Sequence, residues 1–374
     1  MKNQYYIQEI AENYLKNVVD NPVFMKVHNK FLYGLEKEDF ENGFLELLSL
    51  IRNIYKDIAC NPEDFGMLLK ENIKIDEKSA QDYTRSDASF VRVPNLLLII
   101  GVKADLQSDM TLTIDSGILA EQAEKLKITG IQTLVSKLND YGFEINGLTK
   151  PLKPGNLLTF SHIDTREVVV ALKAMGTAMF ELYKSVKLHM NQRFYFCMMD
   201  YRLLENEKAK EPRFTVENAY RTLDLPMRDI AYELHNAVSD STKQSVKLGK
   251  GYLMYNDWAC VYTHKLDKKV LMTVHVRIDK IAIKLNLQNI SKYVPLIASF
   301  PEQLKDTMLN EGWDCHSPPA ECCGVGGYVF ELNGVQYNKC RNGSFWIKGL
   351  TVENLKFLLE LLNQEVSCRF PLVN

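Results

Sequence analysis

Residues 111 to 160 read TLTIDSGILAEQAEKLKITGIQTLVSKLNDYGFEINGLTKPLKPGNLLTF. Thr111 to Ile114 alternates like a short strand, and Ser116 is a residue type that caps a helix, here one carrying Leu119, Ala123 and Leu126 on one face. Thr129-Gly-Ile-Gln132 fits a capping box, in which hydroxyl and amide side chains satisfy orphan backbone donors, so a second helix is expected to begin there. Its apolar stripe is Ile131, Leu134, Val135 and Leu138, at i, i+3, i+4 and i+7, and Gly142 is placed to end it. Phe143 to Ile145 and Leu157 to Phe160 flank a connection rich in Gly, Pro and Lys, Gly147 to Gly155, which predicts a hairpin with a long tip.

Immediately upstream, Leu96 to Ala104 is apolar enough for a buried helix, although its β-branched residues also allow a strand. Helix, short strand, two helices and a hairpin follow one another between Pro94 and Asp164, and in that order the segment resembles the winged helix-turn-helix superfamily. The resemblance implies a module that recognises DNA or a protein. For DNA, Gln132, Ser136, Lys137 and Asn139 would lie on the polar side of the second helix, where base edges are read, and Lys150 and Lys153 on the wing would meet phosphates. Against DNA, six lysines face eight acids between Pro94 and Asp164, which is a poor footprint for a polyanion. A structural or protein-binding wing is the alternative.

Outward from this segment the chain divides into four stretches. Residues 1–90 read as a helical N-terminal extension, because Phe44, Leu47, Leu48 and Ile51 recur at helical spacing until Asn61-Pro62. Residues 91–204 hold the winged-helix-like domain and a following helix with Val168, Leu172, Met175, Met179 and Leu182 in one stripe. Residues 205–213, ENEKAKEPR, read as a linker of solvated charges and proline. Residues 214–374 read as an antiparallel α+β domain with a cysteine-rich hairpin.

In that last domain a helix from Met227 to Val238 precedes strands Tyr252 to Tyr262, Val270 to Ile278 and Ile281 to Leu287. Ile290 to Leu309 is helical with a break at Pro301. Asn333-Gly334 and Asn342-Gly343 are two-residue hairpin turns, because both central positions need positive φ, and they predict a meander of Tyr328 to Leu332, Val335 to Arg341 and Ser344 to Ile347. A closing helix presents Leu355, Leu358, Leu359 and Leu362 to the sheet. The layout is similar to small bacterial α+β domains in which a cysteine-bearing hairpin follows a strand meander; no catalytic role comes with that similarity. The fold class expected for the whole chain is α+β.

Two groups in this domain could carry chemistry. Cys315, His316, Cys322, Cys323 and Cys340 are soft-metal ligand types gathered by the Asn333-Gly334 hairpin, whose register sets Cys340 opposite Gly327. Zinc would suit them, although the spacing lacks the paired C-x2-C of a zinc ribbon, so inert thiols or a redox pair remain open. Gly324-Val-Gly-Gly327 is no phosphate loop, since a strand and not a helix follows. The second group depends on register. A turn at Leu266-Asp267 pairs Lys265 with Lys268, which sets Trp258 against His275 and Asn256 against Arg277. One sheet face would then offer Asn256, Trp258, His275 and Arg277 to a small anionic ligand, and a slip of one residue would dissolve the group.

Composition narrows the classes. In 374 residues, 46% hydrophobic and 25% charged are ordinary globular values, which excludes a chain that is mainly disordered. A formal charge of −2 gives no global reason to bind nucleic acid or an anionic membrane. The apolar run Leu96 to Ile100 is far shorter than the roughly 20 residues that cross a bilayer, so no membrane partner is expected. The start, MKNQYYIQEIAENY, lacks the apolar core of an export signal, and reduced thiols in the cytoplasm are the expectation. No paired-histidine metal helix and no nucleophile elbow appears. The reading is a cytoplasmic, non-enzymatic winged-helix regulator or protein-interaction module with a ligand- or metal-sensing second domain. The alternative is a metal-binding or thiol-dependent enzyme centred on Cys315 to Cys340.

Overall fold

A helix that is apolar on every side persists only where all its faces are covered, and this decides the fate of Leu96 to Ile100. In a computed structural model, which describes residues 5–20, 22, 25–67, 74–75, 80–183, 193–207, 214–248, 256–315, 326–341 and 345–369, these five side chains are all buried in one helix. Burial on all sides, and not β-propensity, sets the outcome. The chain forms two compact units, residues 1–213 and 214–374, so the division falls at the end of the charged stretch 205–213.

The first unit runs through α1 (Tyr6–Asn17), α2 (Lys37–Cys60), α3 (Ala80–Phe90), α4 (Arg92–Lys103), β1 (Asp105–Leu106), β2 (Leu112–Asp115), α5 (Ser116–Lys125), α6 (Ile131–Lys137), β3 (Phe143–Asn146), β4 (Leu157–His162), α7 (Glu167–Tyr183) and α8 (Phe194–Cys197). Helix α2 packs on α1 and α7, and α7 also packs on α4. The α4–α7 crossing is close because it is glycine on glycine: a Cβ at Gly176 would lie 2.5 Å from the Gly101 carbonyl carbon. The strands form an antiparallel sheet in the order β1-β2-β4-β3, with Leu112 opposite Phe160 and Phe143 opposite His162.

Two helix starts differ from the sequence reading. Asp115, not Ser116, caps α5, its Oδ1 accepting from the Gly117 and Ile118 amides at 2.7 and 3.2 Å, while the Ser116 hydroxyl donates to the Lys153 carbonyl. The Thr129 capping box does not form, because the Arg92 guanidinium takes the Thr129 hydroxyl; Gly130 at φ 66° precedes α6 instead. Helix α6 gives way to a 3-10 turn, Leu138–Tyr141, which ends at Gly142 with φ 84°.

The second unit comprises α9 (Val216–Tyr220), α10 (Leu225–Ser239), β5 (Thr242–Leu248), β6 (Trp258–His264), β7 (Val270–Val276), β8 (Ile281–Leu285), α11 (Ile290–Ala298), α12 (Glu302–Asn310), β9 (Gly327–Leu332), β10 (Val335–Cys340), β11 (Trp346–Lys348) and α13 (Val352–Arg369). Five strands form one antiparallel sheet in the order β11-β8-β7-β6-β5, and β9 and β10 form a separate hairpin. Strand β5 was not foreseen: TKQSVKL carries little hydrophobicity, which suits an edge strand. The expected third strand of the meander leaves the hairpin and pairs with β8, with Trp346 opposite Lys284. The Asn342-Gly343 turn lies outside the described residues, as does the start of the expected strand at Tyr252.

The register of β6 on β7 is the consequential correction. At the turn, Thr263 pairs with Val270, as a Leu266-Asp267 turn dictates, but the next pair is Tyr262 with Met272. Leu271 is therefore an extra, bulged residue, and every pair beyond it is shifted by one. Trp258 lies opposite Val276, and His275 opposite Ala259. One face carries Trp258, Cys260 and Tyr262 toward the helices, where the Tyr262 hydroxyl meets Tyr220 at 2.8 Å and His235 at 3.0 Å. The other carries Asp257, Thr273, His275 and Lys284.

Candidate functional site

Trp258 lies on the helix-packed face of the second unit's sheet, opposite Val276, whereas His275 lies on the other face, opposite Ala259, so the expected Trp258–His275 pair does not form; Asn256 and Arg277 are both buried. Arg277 is engaged by Asp279 through two parallel bonds, Nε donating to Oδ1 at 2.5 Å and Nη2 to Oδ2. Burial works against the Asp279 carboxylate, but Arg277 outweighs it and holds the carboxyl below its ordinary value.

Among the candidate metal ligands, His316, Cys322 and Cys323 lie outside the described residues. Cys315 and Cys340 are both buried, Cys315 just after an isolated bridge of Asp314 to Lys339 of β10, the Cys315 amide donating to the Asn338 carbonyl at 2.7 Å and the Cys340 amide to the Trp313 carbonyl at 2.9 Å. Cys340 stands opposite Gly327, the register that the Asn333-Gly334 turn imposes. Among the described residues no group of three or more His, Cys, Asp or Glu side chains could hold a metal ion.

In the first unit, Ser136 and Asn139 are exposed and Gln132 is half-buried on α6 and the turn after it, and Lys150 and Lys153 are exposed at the hairpin tip. Lys137 is already engaged. Its ammonium bonds Asp140 at 2.9 Å and Asp64 at 3.5 Å and lies 5.4 Å from the Phe65 ring centroid. The Asp140 bond leads the causes that raise it above its ordinary pKa. Tyr141 donates to Asp57 at 2.7 Å, so a third carboxylate adjoins this helix end.

What the bulge at Leu271 does assemble is a polar cluster on the face away from the helices. Asp257, 1% exposed, accepts from Nδ1 of His275 at 2.6 Å, which fixes the ring and its tautomer. The His275 side chain is 17% exposed, and its Nε2 makes no hydrogen bond among the described residues. Trp346 lies against the imidazole at 4.9 Å between ring centroids, tilted 40°. The Lys284 ammonium is 5.6 Å from the Trp346 ring, on the row Thr273–Lys284–Trp346 that crosses three strands. Burial lowers the pKa of Lys284, with Cys340 nearby opposing the shift.

Of this cluster, sequence reasoning found only His275. Lys284 carried a usable signal, an ionisable residue in the middle of the apolar strand Ile281-Ala-Ile-Lys-Leu285. Asp257 carried a weaker one, a carboxylate directly before an apolar strand. Chemically, the arrangement offers one oriented imidazole nitrogen and, on the same face, the Lys284 ammonium beside Trp346. Fold and cluster define an α+β chain of two units with a polar sheet-face site in the second. No family model, curated protein or solved structure matches the chain.

Proposed function

We propose that the protein is a non-enzymatic, two-unit binding protein whose second unit takes a small carboxylate at His275 and whose first unit presents α6 and the β3–β4 hairpin to a protein partner. The observation that carries the reading is the buried Asp257 holding the His275 ring with its Nε2 unengaged. A ring fixed with its proton on Nδ1 presents Nε2 as an acceptor at a defined point, suited to a ligand hydroxyl, and Lys284 on the same face supplies positive charge for the carboxylate of that same ligand. No described hydroxyl or thiol bonds Nε2, which favours recognition over nucleophilic catalysis.

For the first unit, a protein partner is favoured over DNA because Lys137 is neutralised by Asp140 and Asp64. Apolar side chains also stand exposed around the hairpin, Leu157 at 60% and Ile163 at 62%.

Tryptophan fluorescence tests the ligand site, since the chain has three tryptophans and one of them touches His275. Titrating lactate, malate and citrate, each with a hydroxyl beside its carboxylate, into the intact protein should give a saturable change for at least one. Trp313→Phe should keep that change and Trp346→Phe should remove it, while calorimetry should show binding lost in His275→Ala. Silence toward all three anions, or binding that survives His275→Ala, ends this reading.

A further inference from the structure

We infer that the second unit has another anion site, independent of His275: a cavity of about 390 Å³ lined by Lys243, Lys265, Lys268, Thr242, Gln244 and His264 that takes a multiply charged phosphoryl group. Lys243 comes from edge strand β5, opposite Thr263 of β6. Lys265 and Lys268 come from the turn between β6 and β7, which is closed by the His264 amide on the Lys269 carbonyl at 2.9 Å and the Lys268 amide on the His264 carbonyl at 3.1 Å. Residues from two separate elements therefore bring three lysines to the lining of one concavity.

Among the described residues no ion pair accounts for these charges. Lys265 donates to the Asp240 carbonyl at 2.7 Å and Lys268 to the Lys265 carbonyl at 2.5 Å, both neutral acceptors, and among the described residues the Lys243 ammonium has no hydrogen-bond partner. An ammonium has three donors, so Lys265 and Lys268 each keep donors for a ligand. The nearby carboxylate of Asp267 is directed elsewhere, to His264 Nδ1 at 3.2 Å and Arg369 at 3.5 Å. Gathering three like charges without a counter-charge is unfavourable, and an anion bound among them reverses the sign of that term.

The lining selects the anion. Lysines act as point charges that suit the tetrahedral oxygens of phosphate and do not impose the planar fork that arginine offers a carboxylate. A phosphate monoester carries about −1.5 to −2 at neutral pH, a better match to three cations than one carboxylate. The polar floor is held in place: Thr242 donates to the Val238 carbonyl at 2.7 Å, and the Gln244 amide nitrogen donates to the Ser239 and Thr242 carbonyls at 3.0 and 3.1 Å.

Calorimetry on the full chain at low salt tests this with inorganic phosphate, pyrophosphate and glycerol phosphate. Saturable one-site binding is expected, weaker as salt rises. Lys243→Ala and Lys265→Ala should each weaken it by roughly tenfold, the loss typical of one charge-assisted bond, with melting temperatures unchanged because both lysines are exposed. His275→Ala should leave it intact, which separates this site from the carboxylate site. No binding of any of the three phosphates, or binding indifferent to both lysine variants, overturns the inference.

Discussion

Asp115 uses one carboxylate to hold three backbone amides: Gly117 and Ile118 at the start of α5, and Gly155 at the hairpin tip at 2.6 Å. The Gly155 bond, followed by those from Ile118 and Gly117, holds its carboxyl below the ordinary value. A depressed carboxylate adds stability that is fully present above its unfolded value, about pH 3.9, and is lost as pH falls through the lower folded value. Asp115→Asn should therefore melt below the wild type at pH 7, and the gap should close as both are acidified toward the folded value. A gap of constant size in thermal melts would show that the charge contributes nothing. Asp115 and Ser116 are both good capping types, and sequence alone does not decide between neighbours. The decision comes from Gly155, forty positions away, whose amide needs the second carboxylate oxygen. His275 is a parallel case, since its partner Asp257 becomes identifiable only once the strand register is known.

At the scale of elements, long periodic segments were legible and pairings that depend on single residues were not. Helices α2 and α7 follow their apolar stripes because burial enforces the period, whereas α13 buries Leu361 in place of Leu359 and packs on α10 and α11. The β6–β7 register begins where the turn puts it and is then shifted by Leu271, which is as apolar as its neighbours and gives no sign that it is a bulge. That one residue moved the candidate site from Trp258 to Asp257, Lys284 and Trp346. The glycine crossing of α4 and α7 was equally hidden, since neither Gly101 nor Gly176 belongs to a recognisable motif. It allows a test in which two effects oppose. Inside a helix, alanine is favoured over glycine by about 1 kcal/mol, whereas forcing a methyl into a packed contact costs about 1–3 kcal/mol. At Gly176 the obstacle is backbone at 2.5 Å, which no rotamer change can relieve, so Gly176→Ala should be less stable in urea unfolding. A stabilised variant would mean that the two helices separate at no cost.

At the scale of the whole molecule, the charge balance bears on which partner the first unit meets. With 45 basic and 47 acidic residues the chain has no long-range attraction for a polyanion. The described residues contain no helix long and apolar enough to cross a membrane. Locally, Asp57, Asp64 and Asp140 stand around the end of α6, where a groove-reading helix would need to be positive. A protein that neutralises several DNA phosphates loses about 10³ to 10⁵ in affinity between roughly 50 and 200 mM salt, and with Lys137 committed to Asp140 and Asp64 only Lys150 and Lys153 remain of the lysines read as DNA contacts. The intact protein should therefore leave duplex DNA unretarded in a gel-shift series across that salt range, and Lys150→Ala and Lys153→Ala should change nothing. A retarded band that fades steeply with salt and weakens further in Lys137→Ala would instead show that the Lys137 ion pairs open to admit a phosphate, and would return the first unit to DNA.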